Sequence, residues 1–121
     1  MDKYYILAAD DDPLNLIILE ELLATDYDLA CVSSAAACIK SVKKRKPDLI
    51  LMDVSMPEKN GLQACYEIKN TEGLKQIPVV MLSALASEAE IEMGIESGAD
   101  SYICKPFNES DIKNAIDSLL A

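Results

Sequence analysis

Residues 49–53, Leu49-Ile50-Leu51-Met52-Asp53, form a short apolar run that ends in a carboxylate. A short, continuously apolar run is typical of a strand that is covered on both faces of a parallel sheet. Three other runs have the same form, an apolar stretch followed at once by an acidic, hydroxyl or basic residue. They are Tyr4–Ala9 before Asp10-Asp11-Asp12, Ile77–Leu82 before Ser83, and Tyr102–Cys104 before Lys105.

Helical patterns separate these runs, and Leu29–Val32 adds a short second strand. The first helix is predicted to begin after Asp12, a good N-cap residue, with Pro13 at its first position. Its apolar residues recur at helical spacing, and the set predicted to face the core is Leu14, Ile18, Leu19, Leu22 and Leu23. The remaining helices are expected at Ala35–Lys44, at Leu62–Asn70, between Ser87 and Gly98, and after Asn108.

Strands therefore alternate with helices from end to end, which predicts an α/β protein of (βα)5 type, with residues 1–121 as one domain. Right-handed crossovers place helices on both faces of a parallel sheet. The expected fold is a doubly wound, flavodoxin-like, five-stranded parallel sheet with strand order 2-1-3-4-5. In that order the switch point lies between the first and third strands, where ligands bind and where Asp10, Asp11 and Asp53 would meet.

The amino-acid composition argues against several classes of function. The chain has 121 residues and a net charge of −10, which argues against direct binding of nucleic acid, since that needs a basic face. No apolar stretch approaches 20 residues and no signal-peptide pattern is seen, so we expect a cytoplasmic protein without membrane contact. The sequence contains no His and no closely spaced Cys pair, which disfavours a zinc site.

The acidic residues at the switch point favour a metal. Three carboxylates held together repel one another unless a cation neutralises them. Oxygen-only ligands are those of a hard divalent ion such as Mg²⁺. A helix N-cap is the simpler explanation for Asp10-Asp11-Asp12, but capping requires one Asp rather than three.

Four stretches together resemble the receiver domain of bacterial-type two-component response regulators, the fold of the chemotaxis regulator. They are ILAADDDP at 6–13, PDLILMDVSMPEKNG at 47–61, PVVMLSA at 78–84 and GADSYICKPF at 98–107. Their order and spacing match the family over essentially the whole chain. The resemblance implies a phosphorelay protein that binds Mg²⁺.

The resemblance also implies roles for single residues. Asp53 is similar to the phosphoacceptor, which attacks a phosphohistidine to give an acyl phosphate. The implied metal ligands are Asp10, Asp11, Asp53 and the backbone carbonyl of Ser55. Ser83 and Lys105 are implied to contact the phosphoryl group, Ser83 and Tyr102 to form the switch, and the Lys105–Pro106 bond to be cis.

The implied phosphoryl donor is a histidine kinase or a histidine phosphotransfer protein. The implied output is a downstream protein partner or a fused output domain. Such a protein is chiefly a signalling switch, and its enzymatic activity is limited to its own phosphorylation and dephosphorylation at Asp53.

Two alternatives remain open at this point. Asp10 and Asp12 also read as the DxD start of a haloacid-dehalogenase-like phosphatase, with Asp10 as nucleophile and Asp12 as general acid. Leu14 departs from the Thr or Val that such enzymes place there. The second alternative is a degenerate receiver that only binds proteins, against which the intact set of site residues argues.

The residues that flank the approach of water to Asp53 predict a long-lived phosphorylated form. They are Ser55, two after Asp53, and Leu85, two after Ser83. Hydrolysis needs a water held in line with the phosphorus, and neither side chain is an acid or amide that would orient it. Glu58 is the nearby acid that could reach in.

Overall fold

The structure, a computed structural model, describes residues 3–56, 60–84 and 87–120. Within these residues five strands alternate with five helices, as the sequence predicts. The elements in chain order are β1 (Tyr5–Ala9), α1 (Pro13–Leu23), β2 (Asp28–Val32), α2 (Ala35–Lys44), β3 (Leu49–Asp53), α3 (Gly61–Lys69), β4 (Val79–Ser83), α4 (Glu88–Glu96), β5 (Ser101–Cys104) and α5 (Glu109–Leu120).

The strands form one parallel sheet in the order β2-β1-β3-β4-β5, which confirms the predicted topology. The register pairs Ala9 of β1 with Met52 of β3, and Asp53 of β3 with Leu82 of β4. The carboxyl ends of these three strands are therefore nearly level. They lie at the switch point of the sheet, where chain connections leave in opposite directions and open a crevice.

Alternate residues of each central strand enter two separate cores. In β3, Ile50 and Met52 pack into the core beneath α2 and α3, whereas Leu49 and Leu51 pack into the core beneath α1 and α5. This alternation follows from the two-residue period of a strand. Burial on both faces explains why the strands read as continuous apolar runs rather than as alternating ones.

Polar side chains cap the N-termini of α1, α3 and α4, the helices that follow β1, β3 and β4. Asp12 accepts a hydrogen bond from the backbone N–H of Leu14, with Pro13 at the first helical position, as predicted. Ser87 caps α4 by accepting from the N–H of Glu90. Asn60 exchanges two hydrogen bonds with Gln63, so α3 begins at Gly61, one residue before the predicted start.

The predicted inward face of α1 is partly wrong. Leu19 and Leu23 are buried, but Leu14 is 61% exposed and Ile18 is 37% exposed. A helix on a sheet buries only one stripe, and α1 is apolar around most of its circumference. Spacing alone therefore did not distinguish the buried stripe from the exposed apolar one.

Candidate functional site

Three carboxylates meet at the carboxyl ends of β1 and β3. Asp10 and Asp11 follow β1, Asp53 ends β3, and one oxygen of each lies within 4.8 Å of the others. Asp10 is fully buried and Asp53 is 5% exposed, whereas Asp11 is exposed. The negative charges of these carboxylates are thus concentrated at a position largely shielded from solvent, where water screens their mutual repulsion poorly.

Asp10 is surrounded by hydrogen-bond donors. Its Oδ1 accepts from the backbone N–H of Asp12 at 2.9 Å. Its Oδ2 accepts from Lys105 Nζ at 3.0 Å and from Asn15 Nδ2 at 3.2 Å. A buried carboxylate is tolerated only when it is compensated in this way. Both oxygens of Asp10 are therefore engaged by the protein.

Lys105 lies between the two buried carboxylates. Its Nζ is 3.0 Å from Asp10 Oδ2 and 3.2 Å from Asp53 Oδ1, and its side chain is 17% exposed. The residue follows β5, where its backbone N–H donates to the carbonyl oxygen of Ser83 at 2.7 Å. The Lys105–Pro106 peptide bond is cis, as the resemblance implied. One ammonium group is thus shared by both acids.

The burial of this cluster shifts proton affinities. Burial, followed by the negative charge of Asp10, raises the pKa of Asp53 to about 6, and Lys105 only partly opposes this. Burial lowers the pKa of Lys105, but its hydrogen bond to Asp10 and the charge of Asp53 outweigh burial and leave it raised. At neutral pH Asp53 is therefore mainly a carboxylate, and Lys105 beside it is an ammonium.

The donor set suits a hard divalent cation. In the described part of the chain, three carboxylates face the single ammonium of Lys105, so the ionised cluster keeps an excess of negative charge. Asp11 is exposed and borders a cleft that Ser55 and Asn60 also line. Carboxylate and carbonyl oxygens with room for water are the ligands that Mg²⁺ prefers. These residues therefore fit a divalent metal.

The structure also describes three other residues that were singled out in the sequence. Ser83 ends β4 and is 2% exposed. Tyr102 is half-buried in β5 and packs against the core on the α2 and α3 side. Ser55 is exposed, and its backbone N–H donates to Asp53 Oδ1 at 3.4 Å. Leu85 and Glu58 lie outside the described residues.

Three further residues make contacts that the sequence did not predict. Asn15 contributes an amide donor to Asp10. A Cβ atom on Gly61 would lie 2.1 Å from the carbonyl oxygen of Asp53, so α3 can begin against that strand only with glycine. Gly94 supports the ring of Tyr102. An isolated glycine within a helical pattern was the available signal for Gly94.

The fold and the sequence match those of a known family. The sequence model of the family described as 'Response regulator receiver domain' matches residues 6–117 of this chain. The chain therefore belongs to the response regulator receiver domain family, the signal-receiving domain of two-component systems. The phosphatase alternative finds no support, and Asp12 serves instead as the N-cap of α1.

Two curated relatives are longer than this chain. It is 34% identical over 116 residues to the transcriptional regulatory protein BaeR of Escherichia coli O6:H1, covering 95% of this chain and 47% of that protein. It is 33% identical over 108 residues to the DNA-binding response regulator MtrA of Mycolicibacterium smegmatis, covering 88% and 46%. The chain thus spans about half the length of these relatives.

A solved structure matches nearly the whole chain. The receiver domain of the sensor histidine kinase PA1611 from Pseudomonas aeruginosa PAO1, with a magnesium ion coordinated in its active-site cleft, superimposes with a TM-score of 0.91. The two sequences are 26% identical, and the alignment covers 98% of each chain.

Across the described parts of this protein, every helix is too short or too polar to span a bilayer.

Proposed function

We propose that Asp53 is the phosphoacceptor of a phosphorelay and receives its phosphoryl group from a phosphohistidine of a kinase or phosphotransfer protein. The supporting observation is the difference between the two buried acids. Asp10 has both carboxylate oxygens engaged by donors. Asp53 accepts from Lys105 and Ser55 through Oδ1, while no donor among the described residues bonds its Oδ2. Asp53 therefore keeps an oxygen that can act as a nucleophile.

Phosphoryl transfer depends on positioning of the reacting groups and on neutralisation of their charge more than on covalent assistance from the protein. An oxygen of Asp53 forms a bond to phosphorus, the P–N bond of the phosphohistidine breaks, and the electron pair stays on the imidazole nitrogen. With a pKa of about 6, Asp53 is mostly ionised at neutral pH, as a nucleophile must be. Lys105, now 3.2 Å from Asp53, exchanges that contact for a phosphoryl oxygen.

The proposed metal is Mg²⁺, which would neutralise phosphoryl charge when bound. Asp11, Asp53 and the backbone carbonyl of Ser55 are the groups that would hold the ion. Asp10, with both oxygens engaged by donors, would contribute its negative charge and act through water. The presence of magnesium in the PA1611 receiver supports this assignment.

The proposed switch is a shift between two populated states of the domain. The Ser83 hydroxyl gains a phosphoryl oxygen as an acceptor, and Tyr102 follows. Ser83 is buried at the end of β4, and its carbonyl oxygen is 2.7 Å from the Lys105 backbone nitrogen. Ser83 is thus joined directly to the segment that carries Tyr102 and Lys105.

The proposed output surface comprises α4, β5 and α5. Met93 and Ile95 of α4 are 50% and 58% exposed. The same helix carries four acidic residues, Glu88, Glu90, Glu92 and Glu96. A partner with apolar and basic groups would complement this surface.

We further propose that residues 1–121 form one receiver domain that does not itself contact nucleic acid, because its net charge is −10. The names of BaeR and MtrA describe transcriptional and DNA-binding regulators about twice as long as this chain. In such a protein the DNA contact would belong to another part. The signal here passes to a separate partner or to further chain.

Phosphorylation by a small donor tests this proposal. The wild type, Asp53→Asn and Ser33→Ala are incubated with acetyl phosphate, with and without Mg²⁺, and intact mass is measured. Wild type and Ser33→Ala, whose exposed serine lies after β2, should gain one phosphoryl group only with Mg²⁺. Asp53→Asn should gain none. Equal labelling of Asp53→Asn, or labelling of wild type in EDTA, would refute the proposal.

A further inference from the structure

Among the described residues, the N-cap and first turn of α1 supply two of the three donors to the side chain of Asp10. Asn15, the third residue of the helix, donates from Nδ2 to Asp10 Oδ2 at 3.2 Å. Asp12, the N-cap, donates its backbone N–H to Oδ1 at 2.9 Å. Both donors are fixed by the helix itself. Neither donor belongs to the segment after β5 that carries Lys105.

The third donor is different, because Lys105 has two partners. Its ammonium is 3.0 Å from Asp10 and 3.2 Å from Asp53. A phosphoryl group on Asp53 would offer Lys105 new, strongly negative acceptors and would compete with Asp10. Asp10 is fully buried and carries charge, so the loss of a donor there is costly unless another remains.

We propose that Asn15 is a positioning residue that holds the Asp10 carboxylate and thereby frees Lys105 for the phosphoryl group. This inference rests on the proposed function. Without the amide, Lys105 would be the remaining side-chain donor to Asp10 within the described residues. Asp10 would then retain Lys105, and its carboxylate would be less well oriented toward the metal and its water.

The test uses the full chain and three variants. Asn15→Leu removes the amide at similar volume, and Asn15→Gln retains an amide. Gln76→Leu makes the same amide-to-leucine change at an exposed position before β4. Calorimetry measures the affinity for Mg²⁺ alone. A second titration measures beryllofluoride, a mimic of the phosphoryl group, at saturating Mg²⁺.

Asn15→Leu should weaken Mg²⁺ binding by about tenfold, the usual order for loss of a residue that supports the groups around a metal. It should also weaken beryllofluoride binding, because Lys105 stays on Asp10. Asn15→Gln should recover most of both affinities, and Gln76→Leu should match the wild type. Asn15→Ala repeats the test without added apolar bulk if Asn15→Leu lacks a cooperative thermal transition.

Wild-type affinities in both Asn15→Leu and Asn15→Ala would overturn the inference. So would an Asn15→Gln protein no better than Asn15→Leu, because the effect would then come from packing rather than from the hydrogen bond. A wild type that binds neither Mg²⁺ nor beryllofluoride would instead refute the proposed function.

Discussion

The ring of Tyr102 in β5 packs directly on the backbone of Gly94 in α4. A Cβ atom added to Gly94 would lie 2.7 Å from Cδ2 and 2.9 Å from Cε2 of that ring. Glycine within a helix costs roughly 0.5–1 kcal/mol relative to alanine. The contact explains why α4 contains glycine at this position. It also couples the location of α4 to the orientation of Tyr102.

A double-mutant cycle tests this coupling. Gly94→Ala should destabilise the wild type, because the new methyl group displaces the Tyr102 ring. In a Tyr102→Ala background the same substitution should stabilise the protein by about 0.5–1 kcal/mol, because only the helix preference remains. The measurement is urea unfolding of the four proteins. An effect of the same sign and size in both backgrounds would show that ring and helix are not coupled.

Asp53 should make the metal-free protein less stable as pH rises. Its pKa is raised from 3.8 to about 6 on folding, so between these values the folded state binds more protons than the unfolded state. Its contribution is therefore fully present below about pH 4 and is lost as pH rises through about 6, by up to about 3 kcal/mol.

The measurement is the free energy of unfolding in EDTA from pH 4 to pH 8. Asp53→Asn should remove this component and should be the more stable protein at pH 7.5. A wild type and an Asp53→Asn variant with parallel profiles over this range would contradict the assignment of the titration to Asp53.

Magnesium should stabilise the unphosphorylated protein, because it binds the folded state and relieves the repulsion between carboxylates. At ten times the dissociation constant the gain is about 1.4 kcal/mol. Asp11→Asn should abolish most of the thermal shift, whereas Asp26→Asn, an exposed acid after α1, should retain it. A melting temperature unchanged by millimolar Mg²⁺ would count against a metal site.

The phosphorylated protein should be long-lived, and Ser55→Asn should shorten its lifetime by a few fold. Ser55 is exposed beside Asp53, and an amide there can hold the attacking water. Decay of the phosphorylated form after removal of the donor is followed by intact mass. Ser33→Asn, at the exposed serine after β2, serves as the control. If Ser55→Asn decays at the wild-type rate, water held at this position does not set the lifetime.

The fold could be predicted because its signals are local. Continuous apolar runs mark strands buried on both faces, and the residues after them must meet at one edge of a parallel sheet. The convergence of Asp10, Asp11 and Asp53 follows from that geometry alone. The contacts of Asn15 and Gly94 do not, because they depend on where a helix packs on the sheet. The exposure of Leu14 has the same origin, since α1 is apolar on more than one side.

Location of the phosphoryl group is the most direct test of the central claim. The protein is phosphorylated with Mg²⁺ and a phosphohistidine donor, the acyl phosphate is trapped by borohydride reduction, and the modified residue is identified by peptide mass spectrometry. We predict modification at Asp53 and at no other residue. Modification at Asp10 would contradict the account and favour a phosphatase-like nucleophile, and modification at a hydroxyl side chain would also contradict it.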